Sequence, residues 1–274
     1  MKLTSRFGLA LLAAGLSAAS GWAEDRIFSG TTALDKDTYF KYGTITFQDG
    51  ATIVSNGHRL TLEGTKKIRF NGTPTLVSYA TTLTALSANP GATGRSGGPI
   101  LIKTPNLEGT TLTVRNIGTS GKKGDNGAPG PKGAKGTQGT QRDWNPWNGC
   151  IGGSDGKPGG AGGDGGDGGA GGNGGGGGLV LLDIRAGVCN GAVSRLSIDA
   201  AGGGGGAGGD AGAAGPGGDG GEGAPGTAYC NGTSPGPAGP PGRPGRTGPA
   251  GGDGNPGPVI DMNNIVWPCL QSHP

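Results

Sequence analysis

The chain has 274 residues, 68 of them glycine and 20 proline, with 5% aromatic residues and a formal net charge of +3. Such glycine content excludes an ordinary globular composition throughout, and the near balance of charge excludes a nucleic-acid footprint spread over the molecule.

Residues 1–23 read as a signal peptide: Lys2 and Arg6 precede an apolar run from Phe7 to Leu16, and Gly21, Trp22 and Ala23 form the exit. The apolar run contains Gly8 and Gly15 and is shorter than a membrane span, so no membrane insertion is expected after cleavage. Cleavage removes two of the 22 basic residues and none of the 19 acidic ones, leaving 20 against 19. The expected location is secreted or on the cell surface, with the periplasm as the alternative. In that oxidising setting Cys150, Cys189, Cys230 and Cys269 read as two disulfides. There is no C-x-x-C pair and the only histidines are His58 and His273, so no metal centre is expected.

Residues 24–117 form a β-rich base. Short alternating segments such as Gly43–Phe47, Ala51–Val54, Arg59–Leu62, Lys67–Phe70 and Thr75–Tyr79 are separated by Asp49-Gly50, Asn56-Gly57 and Asn71-Gly72. Strands this short and even suit a short β-solenoid or a meander, and no α-helix is expected after the signal peptide. Residues 81–98 read as a looser connection, and strands resume at Pro99–Lys103 and Thr111–Arg115.

From Gly118 to Gly257 glycine recurs at every third position along four arms. The period belongs to a left-handed polyproline-type helix, in which one residue in three faces a crowded neighbour. Arms one and two make a first hairpin, 118–178, with its tip at 141–152. Residues 179–201 return to the base as strands. Arms three and four make a second hairpin, 202–257, with its tip at 227–235, and residues 258–274 close the chain. Cys150 precedes Cys230 by 80 positions, as Cys189 precedes Cys269 and Leu179 precedes Val259. Two equivalent hairpins side by side would bring like cysteines together. The expected bridges are Cys150–Cys230 at the tips and Cys189–Cys269 at the base.

The expected architecture is therefore an all-β base plus a four-arm antiparallel polyproline-II or polyglycine-II bundle. Arms two and three carry glycine on two faces and arms one and four on one, which makes the former the inner pair. Arm one bears Lys122, Lys123, Lys132 and Lys135, and arm four Arg243 and Arg246. Arm two bears Asp155, Asp164 and Asp167, and arm three Asp210, Asp219 and Glu222. Opposite charges are thus expected to face one another across paired arms.

Arms one and four, with Gly127-Ala-Pro-Gly-Pro-Lys-Gly133 and Gly236-Pro-Ala-Gly-Pro-Pro-Gly242, resemble the Gly-X-Y repeat of bacterial collagen-like proteins. The doubly glycine-rich arms resemble polyglycine-II or polyproline-II bundles, a group that includes an antifreeze protein and a phage tail-fibre adhesin. That resemblance implies a compact antiparallel bundle, with ice binding on a flat face in one relative and receptor binding by distal loops in the other. The charged outward residues weigh against a flat ice-binding face.

Gly159–Asp164 and Gly205–Asp210 match the start of a calcium-binding nonapeptide, but Gly166 and Gly212 occupy the required apolar position and the period is three. No nucleophile, base and orienting group converge, and neither a catalytic site nor a cofactor is expected. The first tip alone has a binding-site composition: Arg142, Asp143, Trp144 and Trp147, joined by Tyr229 and Asn231 of the second tip. Those aromatics either contact a glycan or cell-surface protein, or pack over the tip disulfide and cap the bundle. His58 reads as a solvated turn residue. The expected function is that of a secreted, non-enzymatic structural or adhesin-like protein, monomeric. A collagen-like homotrimeric stalk and an ice-binding protein are the alternatives.

Overall fold

The computed structural model describes residues 24–80, 89–109, 111–185, 195–263 and 270–272. The signal peptide, Cys189, Cys269 and His273 lie outside the described residues, as does the expected Cys189–Cys269 bridge. No helix occurs among the described residues.

The early strands are β1 (Arg26–Phe28), β2 (Thr31–Ala33), β3 (Thr38–Phe47), β4 (Thr52–Val54), β5 (Leu60–Phe70) and β6 (Thr75–Val77). Then come β7 (Ile100–Thr104), β8 (Leu107–Gly109), β9 (Thr111–Arg115), β10 (Asp143–Asn145) and β11 (Gly149–Ile151). The last are β12 (Val180–Ile184), β13 (Arg195–Asp199), β14 (Val259–Asp261) and β15 (Leu270–Ser272). Apart from the antiparallel β10–β11 hairpin, strands pair in parallel. One sheet runs β1-β3-β5-β7-β12-β14, with β8 also on β5, and the other runs β15-β13-β9-β6-β4-β2. Apart from β8 and the β10–β11 hairpin, successive strands alternate between the two sheets, which is the winding of a solenoid. A meander, whose neighbours are antiparallel, does not fit.

Strands β3 and β5 are long because each follows two sides of a coil, with a register shift between Tyr42 and Thr44 opposite Gly64. In the next coil the same course is split: β7 pairs with Leu60–Glu63, and β8 with Ile68–Phe70. Alternation sends Ile100 and Ile102, and likewise Val180, Leu182 and Ile184, into one continuous core. Parallel register stacks like on like, so Phe28, Phe47 and Phe70 form a column with ring centroids 5.1 and 5.6 Å apart. Each large apolar side chain buried here contributes about 1.5–3 kcal/mol.

Every glycine-rich segment leaves from one corner of this solenoid. Residues 34–37 and 55–59 turn that corner in the first coils; residues 89–99, 116–179 and 200–258 fill it afterwards. Outgoing arms prolong the second sheet, with Asn116 N–H donating to Asp199 O and Gly118 N–H to Ala201 O. Returning arms prolong the first sheet, with Gly177 N–H donating to Asn255 O and Val180 N–H to Pro258 O. At the junction the apolar core ends and Asn116 takes its place, fully buried. Its Nδ2 donates to Gly98 O at 2.8 Å and Leu179 O at 3.1 Å, and its backbone carbonyl accepts from Gly178 N–H, while the buried Oδ1 has no hydrogen-bond partner among the described residues.

Beyond Asn116 the two layers are bonded backbone to backbone. Glycine amides of arm one, from Gly118 to Gly139, donate to arm-three carbonyls from Ala201 to Glu222, in parallel. Those of arm two, from Gly156 to Gly177, donate in parallel to arm four, from Ser234 to Asn255. A second set of arm-two amides, from Lys157 to Gly178, donates antiparallel to arm one. Arm three donates antiparallel to arm two, and arm four antiparallel to arm three. Arms two and three thus each bond to three other arms, where the count of glycine faces gives two. Added Cβ atoms at most of these glycines would collide with facing carbonyls; Gly160, Gly163, Gly166 and Gly169 instead face an arm-one amide nitrogen or the Pro131 ring. Buried amides are satisfied between segments because no segment satisfies its own.

The connection before β7 differs from expectation. Gly94 N–H donates to Asn173 O and Gly97 N–H to Gly176 O, while Thr119 N–H and Lys122 N–H donate to Arg95 O and Ala92 O. Residues 91–97 therefore lie against arms one and two as a short additional leg. The charge pairing differs as well. The lysines of arm one meet arm three, with Lys123–Asp210, Lys132–Asp219 and Lys135–Glu222 at 2.6, 2.6 and 2.5 Å. Asp164 and Asp167 of arm two accept the backbone amides of Arg243 and Arg246, both at 2.7 Å, and Asp155 and Asn173 accept from Ser234 and Gly252.

Candidate functional site

The tips meet at the far end of the arms. In the first tip, β10 and β11 pair with Trp144 opposite Cys150, and Asn145 Oδ1 shapes the turn by accepting the amides of Trp147 and Asn148. The second tip is closed by Thr227, whose Oγ1 accepts from Cys230 N–H at 3.0 Å. The same threonine donates its amide to Cys230 O. A disulfide joins Cys150 to Cys230 with Cα atoms 5.7 Å apart, as the 80-residue repeat leads one to expect. Cys230 is buried, and the bridge fixes the two tips against each other.

That bridge brings Trp144 and Tyr229 together, ring centroids 5.4 Å apart and planes tilted by 41°. The capping arrangement does not hold for Trp147, which is 91% exposed. Trp144 is 49% and Tyr229 74% exposed, so the tilted pair keeps free ring surface. Ile151, absent from the sequence-based set, is also exposed, opposite Asp143 and so on the other face of the hairpin from Trp144. Arg142, Asp143 and Asn231 are exposed as well. Each exposed ring offers a large contact area, and Tyr and Trp add a polar edge.

His58 Nδ1 lies 3.8 Å from Asp37 Oδ1 at a solenoid corner, a partner that sequence proximity did not indicate. Glu63, Lys103, Thr104, Asp183 and Arg185 line a shallow cleft of about 260 Å³ where the coil bends. There Glu63 sits between Lys41 at 3.5 Å and Lys103 at 3.9 Å. The Tyr39 hydroxyl donates to Glu63, which holds that carboxyl below and the phenol above its ordinary range. Glu108 is held low by Arg69 first and Lys67 next. Among the described residues no three His, Cys, Asp or Glu side chains group as a metal site, and no helix is long and apolar enough to cross a membrane. Comparison of the chain with protein-family models, curated proteins and solved structures found no match in any of the three.

Proposed function

We propose that this is a secreted, non-enzymatic surface-interaction protein, in which a polyproline-II-type bundle holds an aromatic tip away from its β base to bind a glycan. The period-three hydrogen bonding between arms supports the bundle, because polyproline-type helices have three residues per turn and no internal hydrogen bonds. At about 3.1 Å per residue, the arms set the tip roughly 65 Å from the base. The tip disulfide is compatible with an oxidising compartment. Donation of the arms' glycine amides within one chain favours a monomer over a collagen-like trimer.

The exposed trio Trp144, Trp147 and Tyr229 carries the reading. Sugar rings present apolar faces ringed by hydroxyls, and flat aromatics flanked by Arg142, Asp143 and Asn231 match both features. Trp147→Ala should weaken glycan or cell binding by roughly thirty-fold or more, the effect of an interface hot spot worth about 2 kcal/mol. Thermal stability should be unchanged, because Trp147 packs against little. Glycan-array and cell-binding assays on both proteins are the check. Unchanged binding by a Trp144→Ala, Trp147→Ala double variant that still folds would exclude tip recognition.

A further inference from the structure

Arms one and two border a lane that, among the described residues, is filled only near the base. There residues 91–97 cover Gly172, Gly175 and Gly178, which are buried. Three, six and nine residues farther out, Gly169, Gly166 and Gly163 face the same way, and Gly166 is exposed. Added Cβ atoms at Gly172 and Gly175 would strike the carbonyls of Ala92 and Arg95. At Gly160, Gly166 and Gly169 the nearest atom of the chain is an arm-one amide nitrogen, at 3.1 to 3.2 Å.

The hydrogen-bonding groups continue along the lane as well. Thr119 and Lys122 give their amides to the short leg. The amides of Asp125, Ala128, Ala134 and Thr137 continue that row and have no partner among the described residues, while Pro131 interrupts it. On the other wall, Asn173 and Gly176 accept from the short leg, whereas the carbonyls of Ala161, Asp164, Asp167 and Ala170 accept nothing there. Two rows of backbone groups at period three, with a glycine floor between them, repeat the surface on which residues 91–97 are seated, except at Gly163, where a Cβ would meet the Pro131 ring at 2.5 Å.

We propose that the outer part of this lane docks a second polypeptide: an extended segment with glycine at every third residue, laid parallel to arm two. Gly94 shows why glycine is needed, since its added Cβ would collide with Thr119 O and come within 2.6 Å of Gly175 N. The chain has no glycine from Thr73 to Pro90, so that stretch lacks the period-three glycine the lane requires. Independently of the tip, the lane makes the shaft of the molecule a site for assembly with a glycine-repeat partner.

The test uses the full chain and an end-blocked (Gly-Ala-Thr)5 peptide, patterned on Gly91, Ala92 and Thr93. Amide hydrogen exchange, read by NMR, should slow at Asp125, Ala128, Ala134 and Thr137 when peptide is added, and stay unchanged at Thr119 and Lys122. Gly166→Leu should weaken peptide binding at least tenfold. Ala128→Pro, which removes one donor while keeping the backbone angle that Pro131 already adopts, should weaken it with the fold intact. The proposal is overturned if no amide is protected at millimolar peptide, or if a peptide with alanine in place of glycine protects equally. It is also overturned if the same protection arises without peptide as the protein self-associates, which would give the lane to a second copy.

Discussion

At single residues, the glycine pattern separates positions that must lack a side chain from those that need not. An added Cβ at Gly209 would collide with Asp125 O, whereas at Gly204 the nearest atom is 3.8 Å away. Gly209→Ala should cost about 1–3 kcal/mol, the usual penalty of overpacking. Gly204→Ala should be neutral or stabilise by about 0.4–1 kcal/mol through the unfolded chain. Urea denaturation of both variants checks the contrast. The aspartates of arm two invite a similar comparison. If Asp164 serves as an acceptor for Arg243 N–H, Asp164→Ala should destabilise by about 0.5–1.5 kcal/mol. Asp164→Asn should then be close to silent, since Asn173 performs the equivalent task for Gly252. An equal loss in both variants would mean that the charge matters instead. This role was not legible beforehand, because an Asp among glycines reads as a solubilising charge until the neighbouring arm's amide is placed beside it.

Among elements, the lysine row of arm one and the acids of arm three form a titratable seam. Asp219 is held below its ordinary range by Lys132, Glu222 by Lys135, and Lys135 is raised by Glu222. A depressed carboxyl contributes stability above its unfolded value and loses it as pH falls through the folded value. The melting temperature should therefore drop below about pH 4.5. A raised lysine contributes below its unfolded value and loses that contribution only at strongly alkaline pH. These groups are fully exposed, so the acid effect should be small and should shrink further in high salt. A Lys132→Met, Lys135→Met variant should show a flatter acid profile in thermal melts. The tip disulfide matters more. It spans 80 residues, and replacing Cys150 and Cys230 by serine should cost about 2–5 kcal/mol, measured by chemical denaturation.

For the molecule as a whole, the sequence disclosed the period of three, the β-rich base and the tip bridge. Each of these leaves a mark in one dimension, as a repeat or a spacing. What stayed hidden depends on which chains become neighbours. The short leg at 91–97 has only Gly91, Gly94 and Gly97 to announce it, and the exposure of Trp147 follows from how two tips meet. The solenoid corner explains why all these segments share one direction, since each coil hands its outgoing and returning legs to the layers already present. Between arms, every rung joins partners that advance by three residues without slipping from base to tip. The shaft thus has a reading frame in space. Loss of one triplet from each of the four arms should shorten the rod and leave every contact type intact. Loss of one residue from a single arm should act as a frameshift, turning all glycines beyond it away from the carbonyls they were placed to meet.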